Sequence, residues 1–452
     1  MTMNTIKTAC KNYLVIGSLI FGMLFGAGNL IFPVHLGQLA GSHWLAATAG
    51  FVLSGVMLPL LALLAISITH ANGLYELALP LGHKLAVAFL ILVQIMIGPM
   101  CATPRTATVP YTMGIAPYLK ASWQGWGLLA YTGVFFLLVY FFALHEGKLT
   151  EIIGKILNPI FLVMLLVIFI LAFIHPMGST TAAKPTTDYL QTAFTSGFLQ
   201  GYNTLDALAG LVFGVTIIMA VRQLGYQNQR SISLATSKGG LVGILGIGIL
   251  YVGLIYLGTT SRAQFAIADN GGTTLNQIAH FYLGTFGDIL LLALATITCM
   301  STAIGLVASF AQDFNYRFPR VSYKSFLRLS CLLSFIVANL GLDQIITWST
   351  PILMFLYPLA IVLILLGICS PLFKDHKLIY RTTIAFTVIP ALFDMVNALP
   401  TSLRATAVSQ ALIAFAQHYL PLFSVGFSWL PFAVIGFALS LGWSGLWNRL
   451  QA

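Results

Sequence analysis

The sequence predicts an all-α integral membrane protein with 12 transmembrane helices, arranged as a five-plus-five inverted repeat in which helices 1 and 6 are broken. Three observations carry this. The chain is too poor in charge for an aqueous surface. Its apolar runs have the length of a membrane-crossing helix. Two of those runs, five apart in the series, lose their apolar character at mid-depth.

Apolar residues make up 58% of the 452 residues and charged residues only 7%, with mean hydropathy +0.93. A water-soluble domain carries about 25% charged residues, so lipid is the solvent this composition suits. In lipid every backbone polar group must be satisfied internally, which leaves helices and closed barrels. Barrel strands alternate over about 10 residues; the runs here are about 20 long, enough for one helix to cross ~30 Å of hydrocarbon. The net charge of +10 forms no basic stripe with interleaved aromatics, which excludes nucleic acid as a partner and leaves the bilayer. The five cysteines (Cys10, Cys101, Cys299, Cys331 and Cys369) show neither disulfide nor zinc spacing. Lys7 and Lys11 before an apolar stretch imitate a secretory signal, but cleavage there would remove the first span and spoil the topology.

Twelve spans follow in order: 12–33, 44–69, 84–104, 123–144, 151–174, 190–221, 239–260, 286–310, 325–341, 345–370, 380–399 and 426–447. With a cytoplasmic N-terminus, the inner loops and ends hold Lys7, Lys11, Lys84, Lys148, Lys155, Arg222, Arg230, Lys238, Arg317, Arg320, Lys324, Arg328, Lys374, Lys377, Arg381 and Arg449. The outer side holds Arg105, Lys120, Lys184, Arg262 and Arg404. This split, 16 to 5 of the 21 basic residues, is the bias expected of cytoplasmic loops, so both termini are placed in the cytoplasm. Residues 1–11 form the cytoplasmic N-terminus, 12–174 the first repeat, 190–370 the second, and 380–447 the last two helices. The outer connections 261–285 and 400–425 read as short interfacial helices, with a plain loop equally compatible for the second.

Span 1 carries Gly22 and then Phe25-Gly26-Ala27-Gly28-Asn29; span 6 carries Gln200-Gly201-Tyr202-Asn203-Thr204-Leu205-Asp206. Glycine weakens a helix interior by about 1 kcal/mol relative to alanine. Close helix packing through small residues would explain the glycines, but not Asn29 or the polar run 200–206. Polar backbone at membrane depth is tolerated where it lines a cavity or is buried in protein, and paired interruptions in corresponding helices point to a binding site. Amides freed at the start of a half-helix attract a carboxylate, while freed carbonyls and Asp206 suit an ammonium or a hard cation. The candidate substrate residues are therefore Gly26, Ala27, Gly28, Asn29, Gly201, Tyr202, Asn203, Thr204 and Asp206. Asp206 is the one acid placed near the middle of a span; its competing reading is a structural carboxylate held by neighbouring amides.

Gly26-Ala27-Gly28-Asn29 with Ile31-Phe32-Pro33 resembles the first helix of the bacterial branched-chain amino acid:cation symporter family. So do Gly98-Pro99 with Pro104 to Val109, Gly201 to Asp206 running on to Val212-Phe213-Gly214, and Thr302-Ala303-Ile304-Gly305-Leu306. The resemblance runs from about residue 11 to residue 450. It implies the amino acid–polyamine–cation superfamily fold, with the last two helices accessory to the repeat. It also implies import of leucine, isoleucine and valine with sodium across the bacterial inner membrane, and no organic cofactor. Carried over, the sodium ligands are the carbonyls of Gly22 and Phe25 and the hydroxyls of Thr298, Ser301 and Thr302, of which Thr302 alone falls on a motif position. Asn203 and Ser301 depart from the apolar residues expected there, which leaves the choice among substrates open.

Arg105 has two readings: an arginine snorkelling from the outer end of span 3, or an external gate partnered by an acid of span 6, 10 or 11. A proton-coupled or differently selective amine transporter of the same fold is the nearest alternative function, with Asp206 as proton carrier. A membrane enzyme needs converging acids, bases or metal ligands, whereas the nine histidines sit near span ends and loops. A channel is the third class, which saturable exchange of substrate would argue against. No feature of the sequence sets an oligomeric state.

Overall fold

The computed structural model describes residues 3–71, 73–144, 158–373 and 376–450, and among these it is helical throughout its regular structure, with no strand. The expected start of span 5 at 151–157 and the loop residues Lys148, Lys155 and Lys374 lie outside the described residues, as do the side chains of Lys7 and Arg449. Seven helical stretches among the described residues are long and apolar enough to cross a membrane, or eight if the bent pair 206–214 and 216–223 is one crossing. Lys11–Leu24, Val163–Ile174 and Trp429–Trp443 are shorter apolar helices.

Both anticipated interruptions are present. Span 1 is two helices, Met3–Leu24 and Ala27–Ala40, and span 6 is Ala193–Gly201 followed by Asp206–Gln223. Span 1 runs beyond the expected 12–33 at both ends, and three further spans differ from the sequence reading. Span 3 does not end at 104: helix His83–Ile95 passes through a widened turn at Met96–Met100, kinks at Gly98 (φ −78°, ψ −117°) and continues as Ala102–Gly114. The kink at Gly98-Pro99 is buried, Thr103 of the same span donates to the Ile97 carbonyl at 3.3 Å, and the expected end at Pro104 is passed without a break. Span 7 extends to Gln229–Ser261 because Asn228 caps its N-terminus by accepting from Arg230 N–H at 3.2 Å. Span 8 and the preceding outer segment form Gly271–Arg317, turned at Gly284, whose φ of +58° favours glycine. The outer piece is clamped back by Asp288, which accepts from Asn276 at 3.3 Å and pairs with His280 at 2.6 Å. The 400–425 connection is helical at Thr401–Arg404 and Ala407–Tyr419, so the plain-loop reading does not hold.

Packing follows a crossed pattern. Span 1 lies along span 7, span 6 along span 2, and span 3 along span 8. At three seams the backbones nearly touch: a Cβ on Gly37 would overlap the Ile255 carbonyl, one on Gly197 that of Ala47, and one on Gly271 that of Ile31. Only glycine permits such approach. One large apolar core draws on spans 1, 2, 6, 7 and 10 with parts of spans 3, 5, 8, 11 and 12; a second joins spans 3, 4, 8 and 9 around Phe135, Phe136 and Phe310. Spans 11 and 12 pack on each other, and span 11 on span 10.

Candidate functional site

The break in span 1 is stabilised by the residue that follows it. Gly26 is extended (φ −133°, ψ −163°), and its N–H, which an uninterrupted helix would direct to Gly22, donates instead to Asn29 Oδ1 at 2.9 Å. The break in span 6 is built differently. Tyr202–Thr204 form one tight turn, Leu205 adopts the left-handed conformation (φ +65°, ψ +6°), and Asp206 begins the second half-helix. A buried leucine with positive φ is strained backbone of the kind that clusters at functional sites. Tyr202 is fixed by stacking on Tyr357 of span 10, ring centroids 4.1 Å apart. Gly201 presses against Ser54, which sits in a widened turn of span 2 (Leu53–Met57) and donates to the Phe198 carbonyl at 2.7 Å.

The two breaks meet. A Cβ on Gly28 would stand 3.4 Å from the Asn203 carbonyl oxygen. Asn29 donates to Asp206 Oδ2 at 2.8 Å and to the Tyr251 hydroxyl, which itself donates to Asp206 Oδ2 at 2.6 Å. Spans 1, 6 and 7 are thus tied at one buried carboxylate. Asp206 also lies at the N-terminus of its half-helix, where the helix dipole favours negative charge.

Between the breaks lies a cavity of about 40 Å³. Gly26, Ala27, Gly28, Asn29, Asn203, Thr204 and Asp206 line it, together with the apolar Ile97, Ala209, Phe213 and Leu306. Gly201 and Tyr202 do not line it; they contact Ser54 and Tyr357 instead. Asn203 also lines a second cavity of about 780 Å³, on the side that the sequence reading makes the outer one, bordered by Asp188, Asp269, Asp343 and Asp394. Its Oδ1 is buried without a hydrogen-bond partner.

Among the residues assigned to sodium, Thr302 stands beside the span 1 break, its Cγ2 3.3 Å from a Cβ on Gly26, and lines the central cavity. Its hydroxyl donates to the Thr298 carbonyl at 3.2 Å, while the Thr298 hydroxyl is buried without a partner. Gly22, Phe25, Thr298 and Ser301 do not line that cavity. Gly22 is exposed and Ser301 half-buried. The donor set is all oxygen, the chemistry a hard cation takes.

Arg105 is the residue whose environment departs most from expectation. It does not snorkel: it is 1% exposed and lines the central cavity, because span 3 runs on past the kink and places it within the helix rather than at its end. Its partners are not acids. Nη1 donates to the Asn203 carbonyl at 2.8 Å, Nη2 to Ser349 Oγ of span 10 at 2.7 Å, and the guanidinium lies 5.0 Å over the Phe32 ring. Tyr251 and Ser349 were not singled out from the sequence. Tyr251 reads as one more core aromatic; Ser349 stands in the run Thr347-Trp348-Ser349-Thr350-Pro351, a polar interruption that marks it.

Residues 9–445 match the family described as branched-chain amino acid transport protein. The branched-chain amino acid permease BrnQ of Lactobacillus delbrueckii subsp. lactis is 39% identical over 428 residues, 94% of this chain and 95% of that one. The branched-chain amino acid permease BraB of Bacillus subtilis is 39% identical over 437 residues, 95% and 96%. Among solved structures, the inward-facing conformation of Mhp1 superposes with a TM-score of 0.60 at 12% identity, covering 95% of this chain and 90% of that one. MhsT in complex with L-phenylalanine gives 0.54 at 16%, covering 95% and 98%. At such identities the likeness is one of fold.

Proposed function

The chain belongs to the branched-chain amino acid transport protein family, and from that premise we propose that it imports leucine, isoleucine and valine by symport with sodium, alternating access around the cavity between its broken helices. It is a membrane transporter and not an enzyme. The observation that carries the proposal is the meeting of the two breaks at one cavity whose lining divides into polar groups and the apolar Ile97, Ala209, Phe213 and Leu306. A zwitterion with an aliphatic side chain matches that division. The unpartnered Asn203 Oδ1 and the carbonyls of the breaks are acceptors for its ammonium. At about 40 Å³ the cavity has room for two or three waters, so substrate entry requires the helices around it to part.

The crossed packing, in which span 1 lies on span 7 as span 6 lies on span 2, supports an inverted repeat of 12 crossings. Moving Arg105 from the outer loops to the interior leaves 16 basic residues inside against four outside, which supports a cytoplasmic location for both termini. Sodium is assigned to Thr302 with Thr298, Ser301 and the span 1 carbonyls of Gly22 and Phe25. One observation favours protons instead: the Asp206 carboxylate bonded to Tyr251 is a group that can carry one. Uptake of radiolabelled leucine, valine and methionine into proteoliposomes, with and without a sodium gradient at constant pH, separates the readings. Sodium-driven, saturable and electrogenic uptake of leucine and valine is expected. Uptake indifferent to sodium but driven by a pH gradient transfers coupling to Asp206, and no leucine uptake under either gradient refutes the function.

A further inference from the structure

We infer that Arg105 is the receptor for the α-carboxylate of the substrate, in place of the span 1 amides. The inference rests on the proposed transport of amino acids and deepens it. The lining of the central cavity contains two ionisable residues, Arg105 and Asp206. They do not pair. Asp206 is held by Asn29 and Tyr251, whereas Arg105 holds only a backbone carbonyl and a serine hydroxyl. A guanidinium taken out of water without an anionic partner is strongly unfavourable, and such a group persists where something else supplies the anion. The nitrogen count agrees. Nε is buried with no hydrogen-bond partner, and it shares one edge of the guanidinium with Nη2, now on Ser349. That edge is the fork on which arginine receives a carboxylate bidentately.

The span 1 amides are poorer candidates than the sequence suggests. The Gly26 N–H is already held by Asn29 Oδ1, so the first donor of that half-helix is engaged within its own chain. Arg105 also has a geometric advantage. Its partner Asn203 borders both the outer and the central cavity, so a carboxylate entering from the outer side meets the guanidinium at the boundary. There it replaces two neutral acceptors by one charged acceptor. In doing so it frees the Asn203 carbonyl and Ser349 and loosens the link between the span 6 break and span 10. Recognition of the carboxylate and release of that link are then one event, and a ligand lacking the carboxylate achieves neither.

The test is competition against radiolabelled leucine on purified full-length protein, with unlabelled leucine and leucinamide, in wild type, Arg105→Gln and Arg105→Lys. Leucinamide keeps the ammonium and the side chain and loses the carboxylate charge. Wild type should bind leucinamide about 10- to 100-fold more weakly than leucine, the range of a lost charged hydrogen-bond pair. Arg105→Gln should weaken leucine by about the same factor and leucinamide by less than about threefold, so that discrimination collapses. Arg105→Lys, which keeps charge but not the fork, should fall between, and it carries the comparison if Arg105→Gln does not fold. Three results overturn the inference: wild type binding both ligands alike, a folded Arg105→Gln that loses both equally, or one that keeps full discrimination. Wild type that binds no leucine at all overturns the transport reading as well, and so separates the two failures.

Discussion

Replacing Asn29 by leucine removes the side chain that holds both breaks while keeping its size. Asn29 accepts from Gly26 N–H at 2.9 Å and donates to the Asp206 carboxylate at 2.8 Å and to Tyr251. Side-chain hydrogen bonds in membrane proteins contribute about 0.6 kcal/mol on average and up to about 1.7 kcal/mol, so the first two bonds alone account for about 1–3 kcal/mol. The new leucine offsets little, because the reference state of a membrane helix is already in lipid. Asn29→Leu should therefore lower the thermal unfolding midpoint in detergent by several degrees and abolish leucine uptake at equal membrane abundance. Tyr251→Phe removes a hydroxyl from the same network, so the double variant should lose less than the sum of the singles by at least ~0.5 kcal/mol. An Asn29→Leu protein with wild-type midpoint and uptake, or strict additivity with Tyr251→Phe, would refute the idea that this network holds the breaks together.

Leu205→Ile keeps the apolar area but adds a branch at Cβ where φ is +65°. The left-handed conformation already costs an L-residue about 1–2 kcal/mol, so the midpoint should fall further, and an unchanged midpoint would mean that the strained turn is dispensable. Thr302→Val should raise the sodium concentration for half-maximal uptake by ~10-fold, equivalent to about 1.4 kcal/mol of lost ligation, with little change in abundance. If sodium dependence is unchanged, Thr302 merely bonds back to Thr298, and the ligand search moves to the unpartnered Thr298 hydroxyl and to Ser301.

How much of this was legible in the sequence differs from element to element. The break in span 1 was, because close packing explains Gly26 and Gly28 but not the polar Asn29 beside them. The break in span 6 was located by its polar run, but its pivot was not. Leu205 carries no local signal for positive φ; the turn is closed by its N–H donating to the Tyr202 carbonyl at 3.1 Å, beside the stack of Tyr202 on Tyr357. Arg105 was misplaced for a physical reason as well. Span 3 was read as ending at Pro104, and a lone arginine at an end looks like a snorkel; the helix runs on to Gly114 and buries the charge. Tyr251 was invisible because a tyrosine in an apolar helix reads as packing until its hydroxyl is seen to meet Asp206. Long-range pairing, between residues 29, 206 and 251, leaves no periodicity to read.

That substrate sits between the two broken helices is tested most directly at Gly28. An added Cβ there reaches only ordinary contact, 3.4 Å from the Asn203 carbonyl and 3.5 Å from the Phe32 ring, so Gly28→Ala should fold and bind leucine with reduced affinity. A leucine side chain is far larger than the gap and would occupy the cavity of about 40 Å³. Equilibrium binding of radiolabelled leucine to purified Gly28→Leu, compared with wild type and Gly28→Ala at equal monodispersity, is the decisive measurement. Loss of binding in Gly28→Leu with a graded loss in Gly28→Ala is the predicted result; wild-type binding by a folded Gly28→Leu would contradict the placement of substrate between the breaks.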